Sequence, residues 1–161
     1  MRLQLVGILT VLLLLPQLIF SQQASSKSAF TLKPGQAVYL VAAKSNGNPD
    51  LSSERKIKEE FEKQKVFKIA SSLQSADFVF IMLVEYEYNQ SMVGGIGIGS
   101  EDIKSILALG VPPSAYSRYK ANLDGLREES FWQLSENNNA WRTGGLPKKI
   151  VKKFHEMVPP K

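Results

Sequence analysis

Glu85 and Glu87 stand two residues apart in the run Leu83-Val84-Glu85-Tyr86-Glu87-Tyr88. In an extended strand they share a face and lie roughly 7 Å apart, a separation that a glycoside hydrolase could use. That chemistry needs one carboxyl kept protonated near neutrality by burial, and the strand turns polar just where the pair begins. The expectation is an exposed strand end, with a cofactor-free hydrolase of extracellular polymers as the rival class. His155 is the chain's single histidine, and there is no cysteine. Disulfides, thiolate metal sites and cysteine nucleophiles are thereby excluded. With no carboxylates spaced around His155 for coordination, neither a metal nor a cofactor is expected, and the ring is read as solvent-facing or at a helix end. A serine hydrolase would want a G-x-S-x-G elbow, which does not occur. The glycines of Val93 to Ser100 (VGGIGIGS) fail both nucleotide fingerprints: Ser100 stands where G-x-G-x-x-G needs its third glycine, and Ser100-Glu101 replace the Lys-Ser/Thr of a P-loop. A connecting loop or hairpin is the better reading.

Two groups of residues remain that could bind without reacting. Tyr86, Tyr88, Trp132 and Trp141, with Tyr116 and Tyr119, could stack on sugar rings or on a peptide; as core and sheet cover they need no ligand. Lys148, Lys149, Lys152 and Lys153 lie on the polar side of an amphipathic C-terminal segment, a form that suits anionic polymers or membrane surfaces. Membrane contact would require Ile150 and Phe154 to be exposed; the alternative is that they pack on a sheet while the lysines keep the domain soluble. Candidate partners are therefore an unknown protein or an anionic cell-envelope polymer. Nucleic acid is not expected, because no reader motif occurs.

The elements that must position these residues follow from periodicity. Ala37 to Ala43 (AVYLVAA), between Pro34-Gly35 and the Asn46-Gly47-Asn48-Pro49-Asp50 loop, reads as a strand. Leu51 to Gln64 reads as a helix, with Ile57 and Phe61 on one face and Glu54/Lys58 and Glu59/Lys63 as outer pairs. Val66 to Ser71 returns to strand-forming residues. Phe78 to Tyr88 (FVFIMLVEYEY) is apolar on both faces, which places it centrally in a covered sheet, and Asp77 is expected to stabilise the turn entering it. Ile103 to Val111 is read as a strand, with a helix as the competing pattern. Ser114 to Glu129 follows as a helix weakened by Gly125, then a hairpin with arms Phe131 to Leu134 and Ala140 to Arg142 around Asn137-Asn138-Asn139, carrying Trp132 and Trp141 on opposite arms. Pro147 opens the last helix, through Met157, whose apolar face is Ile150, Val151, Phe154, Met157 and Val158.

The first stretch has the form of an export signal: Arg2, an apolar run from Leu5 to Leu15, then Pro16, Gln17 and Ser21 before a cleavage site. Interrupted by Thr10, Pro16 and Gln17, it falls short of the ~20 residues of a transmembrane helix. The expected organisation is a signal peptide over 1–21, a polar tether over 22–28 and one domain over 29–161. The mature chain would then carry no membrane span and would act in the periplasm or outside the cell. Of the 161 residues at net charge +5, the portion after Ser21 keeps +4, a mild preference for anions.

The succession of strand, helix, Val66-Phe67-Lys68-Ile69 and then Ser75-Ala76-Asp77-Phe78-Val79-Phe80 resembles small exported bacterial α/β domains. It is similar to the periplasmic domains of the curli-secretion channel family and of lipoprotein activators of cell-wall synthases. The likeness covers residues 37 to 88. It implies a fold neighbourhood and an exported bacterial setting, without functional residues; the lipidated cysteine that begins those families is missing here. Taken together, the sequence predicts an α+β, two-layer domain with a mixed sheet of four to six strands and about three helices, in the order β-α-β-β-β-α-β-β-α. The expected function is an exported, non-catalytic binding or accessory module.

Overall fold

The computed structural model describes residues 30–93, 96–137 and 145–159. The expected signal peptide, tether and second hairpin arm with Trp141 lie outside them. The strands are β1 (Ala37–Lys44), β2 (Lys68–Ile69), β3 (Phe78–Val93), β4 (Ile96–Val111) and β5 (Trp132–Asn137). The helices are α1 (Leu51–Gln64), α2 (Pro113–Tyr119), α3 (Leu123–Glu128) and α4 (Leu146–Glu156). The five strands form one mixed sheet in the order β2-β1-β3-β4-β5; β1 runs parallel to β2 and β3, and β3, β4 and β5 are antiparallel. An α+β domain with a mixed sheet is what the patterning predicted.

The sheet buries its two faces unequally. Val38, Leu40 and Ala42 of β1 join Phe78, Phe80, Met82 and Val84 of β3 on a face covered by Ile57 and Phe61 of α1 and by Ile150, Val151 and Phe154 of α4. Phe154 is the hub: its ring centroid lies 5.1 Å from Phe80, 5.3 Å from Phe67, 5.7 Å from Phe61 and 4.7 Å from Trp132. Burial of each such side chain is worth about 1.5–3 kcal/mol, so this face carries most of the fold's stabilisation. The opposite face, through Val79, Ile81, Leu109 and Val111, is capped by the short pair α2 and α3, which adds a partial third layer, with Leu73 packed beside them.

Several expectations are corrected in detail. The helix predicted over Ser114 to Glu129 is two helices, because the Asn122 side chain accepts from the Gly125 amide and starts α3 afresh. The glycine segment takes the hairpin form of its two readings, but with longer arms than expected: β3 and β4 continue past Tyr88 and begin before Ile103, registered down to Val93 opposite Ile96, and residues 94–95 lie outside the described ones. On α1, Lys63 pairs with Glu60 at 2.7 Å rather than with Glu59. Asp77 does not serve its own turn: its carboxylate accepts from the Ala37 amide at 2.7 Å and ties the start of β1 to the start of β3.

Candidate functional site

The site grows out of an interruption in the sheet. β2 is two residues long and covers β1 only at Ala37 and Val38. The chain then turns away through Ser72 and Ser75, whose side chains bond each other at 3.1 Å around a single 3-10 turn, Leu73–Ser75. At its other end β1 is re-covered by its own following turn. Gly47 adopts φ +86, a conformation side chains disfavour, and lets the chain double back. The Lys44 amide then donates to the Asn48 carbonyl at 2.8 Å, and the Asp50 amide donates to Ala42 at 3.0 Å. Between these two covers Leu40 has no backbone partner on its outer side among the described residues, yet it and Ala42 stay buried.

Over the second face of the sheet, beside this turn, lies a groove of about 640 Å³. Its floor is Val41 and Leu83, its walls are Tyr39 and Tyr116, and Lys120 and Glu54 stand at its rim. The groove exists because α2 and α3 are too short to cover the sheet: Tyr39, Val41, Leu83 and Tyr116 are all only half-buried. Burial, aided by nearby Tyr39 and Glu54, pushes the Tyr116 phenol above its ordinary pKa, so it stays a neutral hydroxyl able to donate or accept. The arrangement offers aromatic and aliphatic contact surface with a few polar tips, as ligand grooves do.

The turn that closes one end of the groove is pinned by a polar network. Asp50, 5% exposed, caps α1 by accepting from the Ser53 amide at 3.1 Å and takes the Tyr86 hydroxyl at 2.5 Å. The Ser53 and Tyr86 hydroxyls lie 3.3 Å apart, and Lys44 Nζ sits 4.9 Å above the Tyr86 ring. Burial by itself would raise the Asp50 pKa, but the hydrogen bonds from Tyr86 and Ser53 and the charge of Lys44 outweigh it and hold the carboxyl below its ordinary value.

The residues singled out by sequence are dispersed rather than gathered. Tyr86 is spent on Asp50, whereas Tyr88, 67% exposed, lies across Gly99 on the β3–β4 ribbon. Trp132 is half-buried over Gly110, with its ring against Phe80 and Phe154. Trp141 lies outside the described residues. Lys149 Nζ meets Glu136 Oε2 at 2.5 Å and Lys153 meets Glu136 Oε1, so these two lysines clamp α4 to β5 through a carboxylate that is 6% exposed. Lys148 is exposed, and Lys152 reaches only Glu156, at 4.0 Å. Ile150 and Phe154 are both fully buried, which removes the apolar face that membrane contact through α4 would need.

Nor do the acidic residues form a catalytic pair. Glu85 accepts from Lys104 Nζ and Ser105 Oγ, both at 2.7 Å, and these bonds hold its carboxyl below the ordinary value, the opposite of what a general acid requires. Glu87 is exposed. His155 is at a helix end but is not solvent-facing: it packs against Phe61 and Phe67, and its Nδ1 donates to the Val151 carbonyl at 2.7 Å. Its Nε2 is buried and meets no hydrogen-bond partner among the described residues, and burial lowers the ring's pKa. Among the described residues no cluster of three or more His, Asp or Glu could hold a metal ion, and no helix is long and apolar enough to cross a membrane.

Sequence reasoning missed the groove residues Tyr39 and Val41. Their signal was present in the alternation of β1, which puts Tyr39 and Val41 on the face opposite Val38, Leu40 and Ala42; that this face would be only partly roofed was hidden, because Ser114 to Glu129 reads as one long helix.

No protein-family model and no curated protein matches the chain. Among solved structures, it is similar in fold to PelC from Paraburkholderia phytofirmans, crystallised as a dodecamer. A single-substitution variant of PelC has a TM-score of 0.49 at 17% identity over 83% of this chain and 96% of that one. PelC in a second crystal form has a TM-score of 0.46 at 15% identity, over 84% and 96%. A neuraminyllactose-binding hemagglutinin homolog from Helicobacter pylori follows with a TM-score of 0.32 at 10% identity over 80% and 88%. At these scores no residue role passes from those proteins to this chain.

Proposed function

We propose that this protein is an exported, non-catalytic binding or accessory module of the periplasm or cell surface, and that it meets its partner in the groove beside β1. The observation that carries the reading is the groove itself: about 640 Å³ of half-covered sheet, walled by Tyr39 and Tyr116, in a domain whose other face is densely packed. Export rests on the signal-like segment 1–21. The partner is a protein or an envelope polymer that places apolar or planar groups against the tyrosines and polar groups against Lys120 and Glu54. Tyr39 and Tyr116 take the role first considered for Tyr86 and Trp132, whose side chains are engaged within the fold. The hydrolytic alternative is not carried further, since Glu85 is held ionised and Glu87 stands in water.

The test is capture from native envelope extract on immobilised protein, in parallel with Ala121→Trp and Tyr116→Ala, which respectively fill and strip the groove, and with Tyr88→Ala as a variant outside it. Loss of the same companions on both groove variants, with retention on Tyr88→Ala, supports the reading. Equal retrieval by all four proteins, or loss confined to Tyr88→Ala, overturns it.

A further inference from the structure

A second cavity, of about 540 Å³, lies at the end of the sheet where β1 and β3 begin, away from the long β3–β4 hairpin. Three segments meet there: the turn before β1, the connection from α1 to β2, and the end of α4. They are bonded into one wall, with the Gly35 amide donating to Val66 at 2.7 Å and the Lys68 amide donating to Gln36 at 2.9 Å. Phe67, Val158 and Pro159 supply apolar lining, Lys65 and Lys68 supply charge, and the His155 ring lines the cavity with its Nε2 unpartnered among the described residues. No carboxylate lines it. The charge is a property of the whole region: residues 30–37 and 63–71 hold Lys33, Lys63, Lys65 and Lys68 and no Asp or Glu. Of these, Lys63 pairs with Glu60, whereas Lys33, Lys65 and Lys68 enter no ion pair among the described residues. α1 and α4 both end at the cavity, and their carbonyl ends oppose an anion, but each is worth about half a charge and two ammonium groups outweigh the pair. Lys65 also stands at φ 55, a left-handed helix end where glycine is the relaxed choice, so the chain keeps a lysine there against its backbone preference.

We propose that this cavity binds a single-chain organic anion, its carboxylate or phosphate head held by Lys65 and Lys68 and its alkyl chain laid on Phe67, Val158 and Pro159. The site is separate from the groove beside β1 and does not depend on it. Its volume falls within the range of about 300–1,000 Å³ of small-molecule sites. The amides of Gly35, Lys65 and Lys68 are spent on Val66, Phe61 and Gln36, so recognition comes from ammonium charge and apolar contact rather than from a pattern of backbone hydrogen bonds. Because the cavity takes the chain as well as the head, the ligand is a free amphiphile and not a bilayer surface, in keeping with the burial of Ile150 and Phe154. His155 adds a dependence on pH. The charged groups around its ring are Lys65 and Lys68 from the α1–β2 connection and, on α4 itself, Lys152 and Glu156, which pair with each other at 4.0 Å; its packing partners Phe61 and Phe67 are uncharged. A bound anion supplies the counter-charge that an imidazolium here lacks, so binding and protonation of the ring favour each other.

The test titrates decanoate, decyl phosphate and decanesulfonate, below their micelle concentrations, into isotope-labelled protein followed by amide NMR. Decyl maltoside, decyltrimethylammonium and inorganic phosphate are the neutral, cationic and chainless controls. The anionic chains should shift the amides of Gly35, Lys65 to Lys68 and Val158 and bind at least about fivefold more tightly than decyl maltoside, a preference that the double variant Lys65→Gly/Lys68→Gln should abolish and Lys148→Gln should leave intact. Whichever of decanoate and decyl phosphate binds more tightly identifies the head group. Lys65→Gly alone should weaken binding while the unfolding midpoint stays level or rises, because glycine relaxes the left-handed position. Decanesulfonate, whose charge is constant across the histidine range, should bind more tightly as pH falls through it and should raise the pKa of His155. Equal binding of anionic, neutral and cationic chains, inorganic phosphate binding as well as decyl phosphate, no saturable shift, shifts centred on Tyr39 and Tyr116 instead, or a His155 titration unmoved by saturating decanesulfonate overturns the proposal.

Discussion

Replacing Tyr86 by Phe removes one hydroxyl and tests the network that closes the groove. That hydroxyl donates to Asp50 at 2.5 Å, and Asp50 is 5% exposed. A hydrogen bond to a buried charge contributes about 1.5–3 kcal/mol, and because Ser53 and Lys44 still serve the carboxylate, the lower end applies: a loss of about 1.5–2 kcal/mol at neutral pH. The pH dependence supplies a second check. The folded-state pKa of Asp50 lies below its unfolded value, so the associated stability is present above the ordinary Asp range and is lost as pH falls through the folded value. Urea denaturation of parent and Tyr86→Phe should therefore differ most near pH 7 and converge in the acid range below the ordinary Asp pKa. In Asp50→Asn, which keeps the cap but not the charge, the same tyrosine substitution should cost less. A difference below about 0.5 kcal/mol at pH 7, or one that persists undiminished in acid, would refute the assignment of Tyr86 to Asp50.

Other outcomes follow from the same geometry. Phe154→Ala should destabilise the fold by about 3–5 kcal/mol, read by thermal or denaturant unfolding, because the lost ring packs among Phe61, Phe67, Phe80 and Trp132. The lowered pKa of His155 makes the unfolded chain the better proton acceptor, so stability is complete above the ordinary histidine range and falls as pH drops below it; a pH series of unfolding midpoints should be flatter in that window for His155→Leu. Glu136→Gln should destabilise measurably while Lys148→Gln does not, since Glu136 gathers Lys149 and Lys153 and Lys148 is exposed. In vesicle flotation with anionic lipid, the protein should remain in the aqueous fraction at physiological salt, because Ile150 and Phe154 are withdrawn into the core.

Strong local periodicity was readable and correct wherever one element buries one face. Ile57 and Phe61 placed α1, the stripe Ile150, Val151, Phe154 placed α4, and the two apolar faces of Phe78 to Val84 placed β3 at the centre of the sheet. What was misread depended on partners distant in sequence. β3 and β4 outrun their expected ends at Tyr88 and Ile103 because they hold each other in register, a cross-strand effect that glycine's own preference opposes. Asp77 looked like a turn residue because its partner, the Ala37 amide, is forty positions away. Glu136 gave no sign of burial, since the lysines that neutralise it belong to the next helix. The split between α2 and α3 was signalled locally by Asn122 as a cap, but the apolar spacing across it masked the signal.

Composition alone settled the chemistry that this chain lacks: without cysteine and with one histidine, no thiolate site or imidazole cluster can form, whatever the fold. Alternation and helical spacing settled which residues are core, because burial of apolar surface is a property of each element's own face. The groove belongs to tertiary structure. It arises because β2 stops after two residues, because α2 and α3 are too short to roof the second face, and because Gly47 and Asp50 fold the next turn back onto β1. Each of those facts concerns how short elements meet, or fail to cover one another, in space, and the periodicity of a strand does not record how far its second face will be roofed.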